Sequence, residues 1–176
     1  SGDYDTWMAF NRDDSNNVWA GTCNQYGCYD TNANVWAGGV NTYDTSTHVS
    51  VSGATLGTLT TGGNTEEGEW LVLNLPSKIK LHAVWLARRD GQTVNAPKDW
   101  IVYGRQTLTS DWEHIQTFTD QVPPNPGQRY DLSTPTTTPY ISFGWVCTKS
   151  NGNHGIVVGE LNFIGAGSSS ADNPAA

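Results

Sequence analysis

Between Gly68 and Gly165, short apolar runs recur one after another, each closed by a turn signal, with no helical period between them. Leu71, Leu73 and Leu75 alternate with polar neighbours over 70–75, and Pro76 stops the run. Ile79, Leu81, Ala83, Trp85 and Ala87 alternate in the next. Further strands are expected over 100–104, after the breaker Ala96-Pro97, and over 112–119, before the turn cluster Pro123-Pro124-Asn125-Pro126-Gly127. Runs over 129–132, 140–148 and 156–164 complete seven strands. A parallel sheet would need crossover helices, and none of the connections reads as one. The pattern therefore predicts an all-β chain, folded as a sandwich or jelly roll.

The stretch before this region is different. Residues 1–66 are rich in Asn, Gly, Thr and Asp, with scattered apolar residues. A strand is expected over 6–10 and one or two over 49–60, with long loops over 11–47. Trp19, Tyr26, Tyr29 and Trp36 argue that these loops are ordered, and loops of such length in a compact domain usually carry function. At 176 residues and 19.1 kDa the chain suits one domain, here expected to span 1–165, with 166–176 as a flexible tail or linker. It opens at Ser1 without a signal-like segment, as expected of a processed product or a domain within a longer protein.

Charge narrows the partners. A net charge of −8 speaks against nucleic acid, which needs clustered Lys and Arg, and Arg88-Arg89 are the only adjacent basic pair. The same acidity argues against anionic membranes, and no apolar run reaches the roughly 20 residues of a membrane span. Cys23 and Cys28 are spaced to close a small disulfide loop; a zinc site is the rival, although a second close Cys or His pair is missing. Cys147, inside an apolar run, reads as a buried thiol. Glu66, Glu67 and Glu69 look like a solvated turn rather than an acid–base pair across a cleft. No nucleophile elbow, zincin helix or phosphate loop occurs. The expectation is a protein without catalysis.

Five segments, taken in order, resemble one family. They are 9–19 (Ala-Phe-Asn-Arg-Asp-Asp-Ser-Asn-Asn-Val-Trp), 68–75 (Gly-Glu-Trp-Leu-Val-Leu-Asn-Leu), 86–91 (Leu-Ala-Arg-Arg-Asp-Gly) with 100–104 (Trp-Ile-Val-Tyr-Gly), 112–115 (Trp-Glu-His-Ile), and 148–152 (Thr-Lys-Ser-Asn-Gly) with 155–165 (Gly-Ile-Val-Val-Gly-Glu-Leu-Asn-Phe-Ile-Gly). Together they are similar to the discoidin, or coagulation factor 5/8 type C, domains, also called galactose-binding-like, which include carbohydrate-binding modules. The resemblance covers 68–165 well and 7–19 in part. It implies an eight-stranded antiparallel jelly-roll β-sandwich with binding loops gathered at one end. Two departures stand out: residues 20–67 form a longer, elaborated N-terminal loop region, and Ala20 replaces the His that galactose-binding members often place after the first Trp.

The resemblance also points to residues. Arg88 matches the family's sugar-contacting Arg, whose guanidinium fork can grip two adjacent hydroxyls or an anion; the competing reading is an exposed ion pair with Asp90 or Asp99. Asn151, Asn153 and His154 lie in the closing loop, expected at the same end, although Asn-Gly is also ordinary turn chemistry. Trp36 and Tyr43 could stack on a sugar ring or plug the end of the sandwich. The family often holds a structural calcium. Its oxygen ligands would come from Asn11, Asp13, Asp14, Asn16 and Asn17, with Glu160 on the last strand, unless those residues simply stabilise turns.

The reading that follows is a carbohydrate-binding or adhesion module outside the cell, on a cell or virion surface, meeting a glycan or glycoprotein through its loops. The alternative is a structural or protein-interaction subunit of an extracellular, fibre or virion-surface assembly.

Overall fold

The structure is a computed structural model that describes 43–44, 46–49, 68–153 and 155–167, together with the backbones alone of 36–37, 59–61 and 64–66. Its strands in chain order are β1 (Trp36–Ala37), β2 (Leu59–Thr61), β3 (Asn64–Glu66), β4 (Glu69–Arg88), β5 (Pro97–Arg105), β6 (Glu113–Phe118), β7 (Gln128–Asp131), β8 (Tyr140–Ser150) and β9 (Val157–Gly167). A 3-10 turn, Thr93–Asn95, lies between β4 and β5. No helix among the described residues is long and apolar enough to cross a membrane.

Every pairing is antiparallel. One sheet runs β1-β9-β4-β8-β5-β6, with β7 beside β4. Ile79 pairs with both Tyr140 of β8 and Gly167 of β9, so those strands flank β4 on opposite edges. β7 continues the edge of β8, pairing with Ala83–Leu86. A straight strand from Glu69 to Arg88 would be roughly 60 Å long. The nine steps from Arg88 to Pro97 reach at most about 30 Å, yet Pro97 pairs with Ser150, at the end of β8 that lies beside Glu69. β4 must therefore fold back on itself, and it does so between Asn74 and Ile79, where Leu75, Pro76, Ser77 and Lys78 face the single residue Ile141. Pro76 stops no strand here, because the bend asks no ladder bond of it. The two runs 70–75 and 79–87 are thus one bent strand, serving first the β8-β5-β6 layer and then the β7-β9-β1 layer.

This corrects the expected count of eight: among the described residues seven strands share the curled sheet, and β2 and β3 form a separate hairpin. Thr61 pairs with Asn64, leaving Gly62-Gly63 as the connection, so Glu66 belongs to a strand rather than to a turn. β9 continues through Gly167, two residues past the expected domain edge. The strand expected over 6–10 lies outside the described residues.

The core fills the curl. On β5, Trp100 and Val102 point inward; on β8, Phe143, Trp145 and Cys147 do, meeting Leu81, Val84, Leu86, Val158 and Leu161. Trp100 stacks on Phe118, ring centroids 3.9 Å apart, and meets Tyr130 edge-on at 5.2 Å. The alternate residues Ile101, Tyr103 and Val146 form a second cluster, with Val72 and Trp112 against it. At the bend end of the sandwich, Arg105 lies 4.5 Å over the Trp112 ring and bonds Asn74.

Candidate functional site

The fold-back of β4 brings Glu69 and Arg88 to one end. There the connections 89–96, 119–127 and 151–156 meet the turn 43–49. Arg88, the last residue of β4, pairs with Val158. Its backbone N–H donates to Pro124 O at 3.3 Å, and its carbonyl accepts from Asn125 Nδ2 at 3.4 Å. Gly159 permits this approach, since a Cβ there would stand 2.9 Å from Arg88 O. Among the described residues the half-buried guanidinium makes one bond, from Nη1 to Arg89 O at 3.2 Å. Neither candidate carboxylate pairs with it. Asp90 Oδ1 accepts from the Gly91 N–H at 2.9 Å, and Asp99 Oδ1 from the Asp120 N–H at 2.8 Å.

The closing loop does a different job from the one its residue types suggested. Asn151 Nδ2 donates to Thr93 O at 3.1 Å, and the Asn151 N–H to Ala96 O at 2.9 Å. Asn153 Nδ2 donates to Asn95 Oδ1, whose own Nδ2 donates to Gln92 Oε1 at 2.9 Å. These amides tie the closing loop to the 3-10 turn instead of presenting themselves to a ligand. Gln92 caps that turn, and residues three apart on a 3-10 helix eclipse, so Gln92 and Asn95 share a side. The Gln92-x-x-Asn95 spacing was the available sequence signal, visible once a 3-10 turn is recognised before Ala96-Pro97. Val94, at the tip, is 53% exposed.

Tyr43 requires a second correction. It is 1% exposed and belongs to the core. Its hydroxyl donates to Cys147 O at 2.9 Å and accepts from the Glu69 N–H at 3.3 Å, which leaves no ring face for a ligand. Desolvation holds its phenol well above the usual value, with the Cys147 thiol adding to the effect. Cys147 is fully buried, and desolvation pushes its thiol up to about 12.

Beside Tyr43, Asp44 Oδ1 accepts from the Ser46 and Thr47 N–H groups at 2.9 and 2.6 Å and from Thr47 Oγ1 at 2.9 Å. Those bonds, the Thr47 amide first, lower the Asp44 pKa. The turn ends on His48 at φ 60°, and His48 O accepts from the Ser150 N–H at 2.9 Å. The 43–49 turn is thereby fastened to the closing loop, a contact that residue types alone did not announce.

The backbone of Trp36 pairs with Val158, the residue that also pairs with Arg88, so Trp36 and Arg88 stand in one row two strands apart. Glu160 pairs with Ala87, is 3% exposed, and accepts from Asn162 Nδ2 at 2.7 Å. His154, Asn11, Asp13, Asp14, Asn16, Asn17, Cys23 and Cys28 lie outside the described residues. Among the described residues, no three His, Cys, Asp or Glu side chains gather to hold a metal.

No protein-family model matches this chain, and no curated protein matches it either. Solved structures do. The F5/8 type C domain of a Bacteroides fragilis protein superposes at TM-score 0.54 and 11% identity, covering 93% of this chain and 82% of that one. CBM32-1 from a family 31 glycoside hydrolase of Clostridium perfringens gives 0.52 and 11%, over 93% and 86%. A family 89 glycoside hydrolase from Clostridium perfringens, in complex with PUGNAc, gives 0.53 and 10% over 92% of this chain, which spans only 13% of that enzyme. Identities this low establish the fold alone: the chain has a β-sandwich fold similar to that of F5/8 type C, or discoidin, domains.

Proposed function

We propose that the chain is a non-catalytic carbohydrate-binding module, meeting glycans outside the cell through the loops around Arg88. The observation that carries this is the guanidinium at the mouth of the loop end, with one hydrogen bond and no ion pair among the described residues. A planar fork with open donors suits sugar oxygens. The similar structures add support, since a carbohydrate-binding module has this fold and enzymes contain the fold as a small part of their length. Trp36, in the row of Arg88, would supply a stacking ring, and His154 a further polar contact. Shallow loop sites bind weakly, so useful affinity would come from several copies or from attachment to a larger protein.

Calcium belongs to the same proposal. Glu160, the acidic position on the last strand, is 3% exposed and would supply one carboxylate oxygen. Asn11, Asp13, Asp14, Asn16 and Asn17 offer the hard oxygen donors that calcium prefers. The ion would hold the loop region without touching the glycan. Adding calcium to chelated protein should raise the melting temperature, and Glu160→Gln should remove that rise. A Cys23–Cys28 disulfide would staple the same region and should appear as a mass gain on reduction and alkylation.

A glycan array with and without calcium tests the main reading. Wild-type protein should bind a subset of glycans, and Arg88→Ala should bind none at unchanged stability. Silence of the wild type in both conditions would leave the protein-interaction alternative standing in its place.

A further inference from the structure

Three carboxamides form a directed chain beside Arg88. Asn153 Nδ2 donates to Asn95 Oδ1, and Asn95 Nδ2 donates to Gln92 Oε1. A carboxamide has one acceptor oxygen and two N–H donors. With its oxygen engaged, the Gln92 side chain offers the amino group at its open end. Its backbone is held as well, because the Gln92 N–H donates to Arg89 O at 3.3 Å, the carbonyl that also accepts from Arg88 Nη1. One carbonyl thus anchors the main chain of Gln92 and the guanidinium of Arg88. Among the described residues, neither Gln92 Nε2 nor the remaining Arg88 N–H groups have an acceptor.

We propose that Gln92 Nε2 and the Arg88 guanidinium form a donor-only subsite for an anionic group on a sugar, a uronic carboxylate or a sulfate ester, with Asn95 as the positioning residue. This rests on the glycan-binding reading and names the class of sugar. A neutral hydroxyl both donates and accepts, and a site built of donors leaves its proton without a partner. Carboxylate and sulfate oxygens only accept, and they pair with a guanidinium through two parallel bonds. Arg89 follows directly in sequence, and Asp90 has an oxygen turned to the Gly91 amide. Asn95 would touch no ligand. It holds the Gln92 oxygen, and so decides which end of that amide faces the sugar.

The test is calorimetry with three probes: oligogalacturonate for the carboxylate, sulfated galactan fragments for the sulfate, and neutral galactan oligosaccharides. Wild type should prefer at least one acidic probe by about tenfold or more, the size of a charge-assisted bond. Gln92→Ala should remove most of that preference. Gln92→Glu, which brings a like charge and no donor, should abolish acidic binding. Asn95→Ala should reduce the acidic-to-neutral ratio at an unchanged melting temperature, a shift that simple loosening of the loop would not produce. An acidic preference that survives in both Gln92 variants, or no preference in the wild type, overturns the inference and leaves the glycan reading intact. Binding to none of the probes, or to any other array glycan, overturns both.

Discussion

The phenol of Tyr43 and the thiol of Cys147 are sealed into the same corner of the core. Each keeps its proton more tightly in the folded chain than in the unfolded one. Their stabilising contribution is therefore whole below pH 9 and is lost as pH rises from 9.0, the ordinary thiol value, towards about 12. Urea unfolding at pH 8 and pH 11 should show a loss on the order of a few kcal/mol, and Cys147→Ala should flatten much of that slope. Tyr43→Phe leaves a buried carbonyl without its donor and should cost about 1–3 kcal/mol at neutral pH, with glycan binding unchanged. Both outcomes follow from where Tyr43 sits, which its sequence neighbourhood did not reveal. A Tyr among Asn, Thr and Asp residues looks like contact surface, and only the distant pairing with Cys147 and Glu69 makes it core. The closing-loop amides misled for a related reason: nothing in the types of Asn151 and Asn153 tells whether their partner is a ligand or the loop alongside.

Among the elements, β4 carries the architecture, and the connections that dock on its second half position the loop end. Gly127 is one hinge of that docking. It has φ 133°, and a Cβ there would lie 2.6 Å from Trp85 Nε1. Gly127→Ala should destabilise by about 1–3 kcal/mol, and amide exchange should quicken first in β7 and its partners Ala83–Leu86. The 43–49 turn gives a second element-scale prediction. Asp44 has a lowered pKa, so its bonds hold above the ordinary value of 3.8 and fail as pH falls through the depressed one. Protection factors of the Thr47 and Ser150 amides should fall as pH drops below 3.8, and Asp44→Asn should lower them at neutral pH. Strand existence was legible because alternation reports a half-buried face directly. The continuity of β4 was not, because Pro76 signals a break whether the chain ends a strand or bends within one.

Most of the described residues belong to one curled antiparallel sheet whose two ends differ. At the bend end, Arg105 lies over Trp112 and bonds Asn74, and Glu113 accepts from Gln106 and Tyr140. At the loop end, Arg88 and Gln92 keep donors open. The ordered motifs made the fold legible at sequence level, with the strand count off because one strand serves both layers. The sequence singled out Arg88 as a candidate, and the fold brings it to the loop end, while the Gln92–Asn95–Asn153 chain depends on a 3-10 turn too short to leave a periodic signal. The central claim is that glycans are bound at the loop end, and amide chemical-shift mapping during titration with an array-selected glycan tests it most directly. The account predicts saturable shifts confined to 36–37, 88–95, 121–127 and 150–156, lost in Arg88→Ala. Shifts centred on 74–79 and 105–113, or unaltered by that substitution, would contradict it.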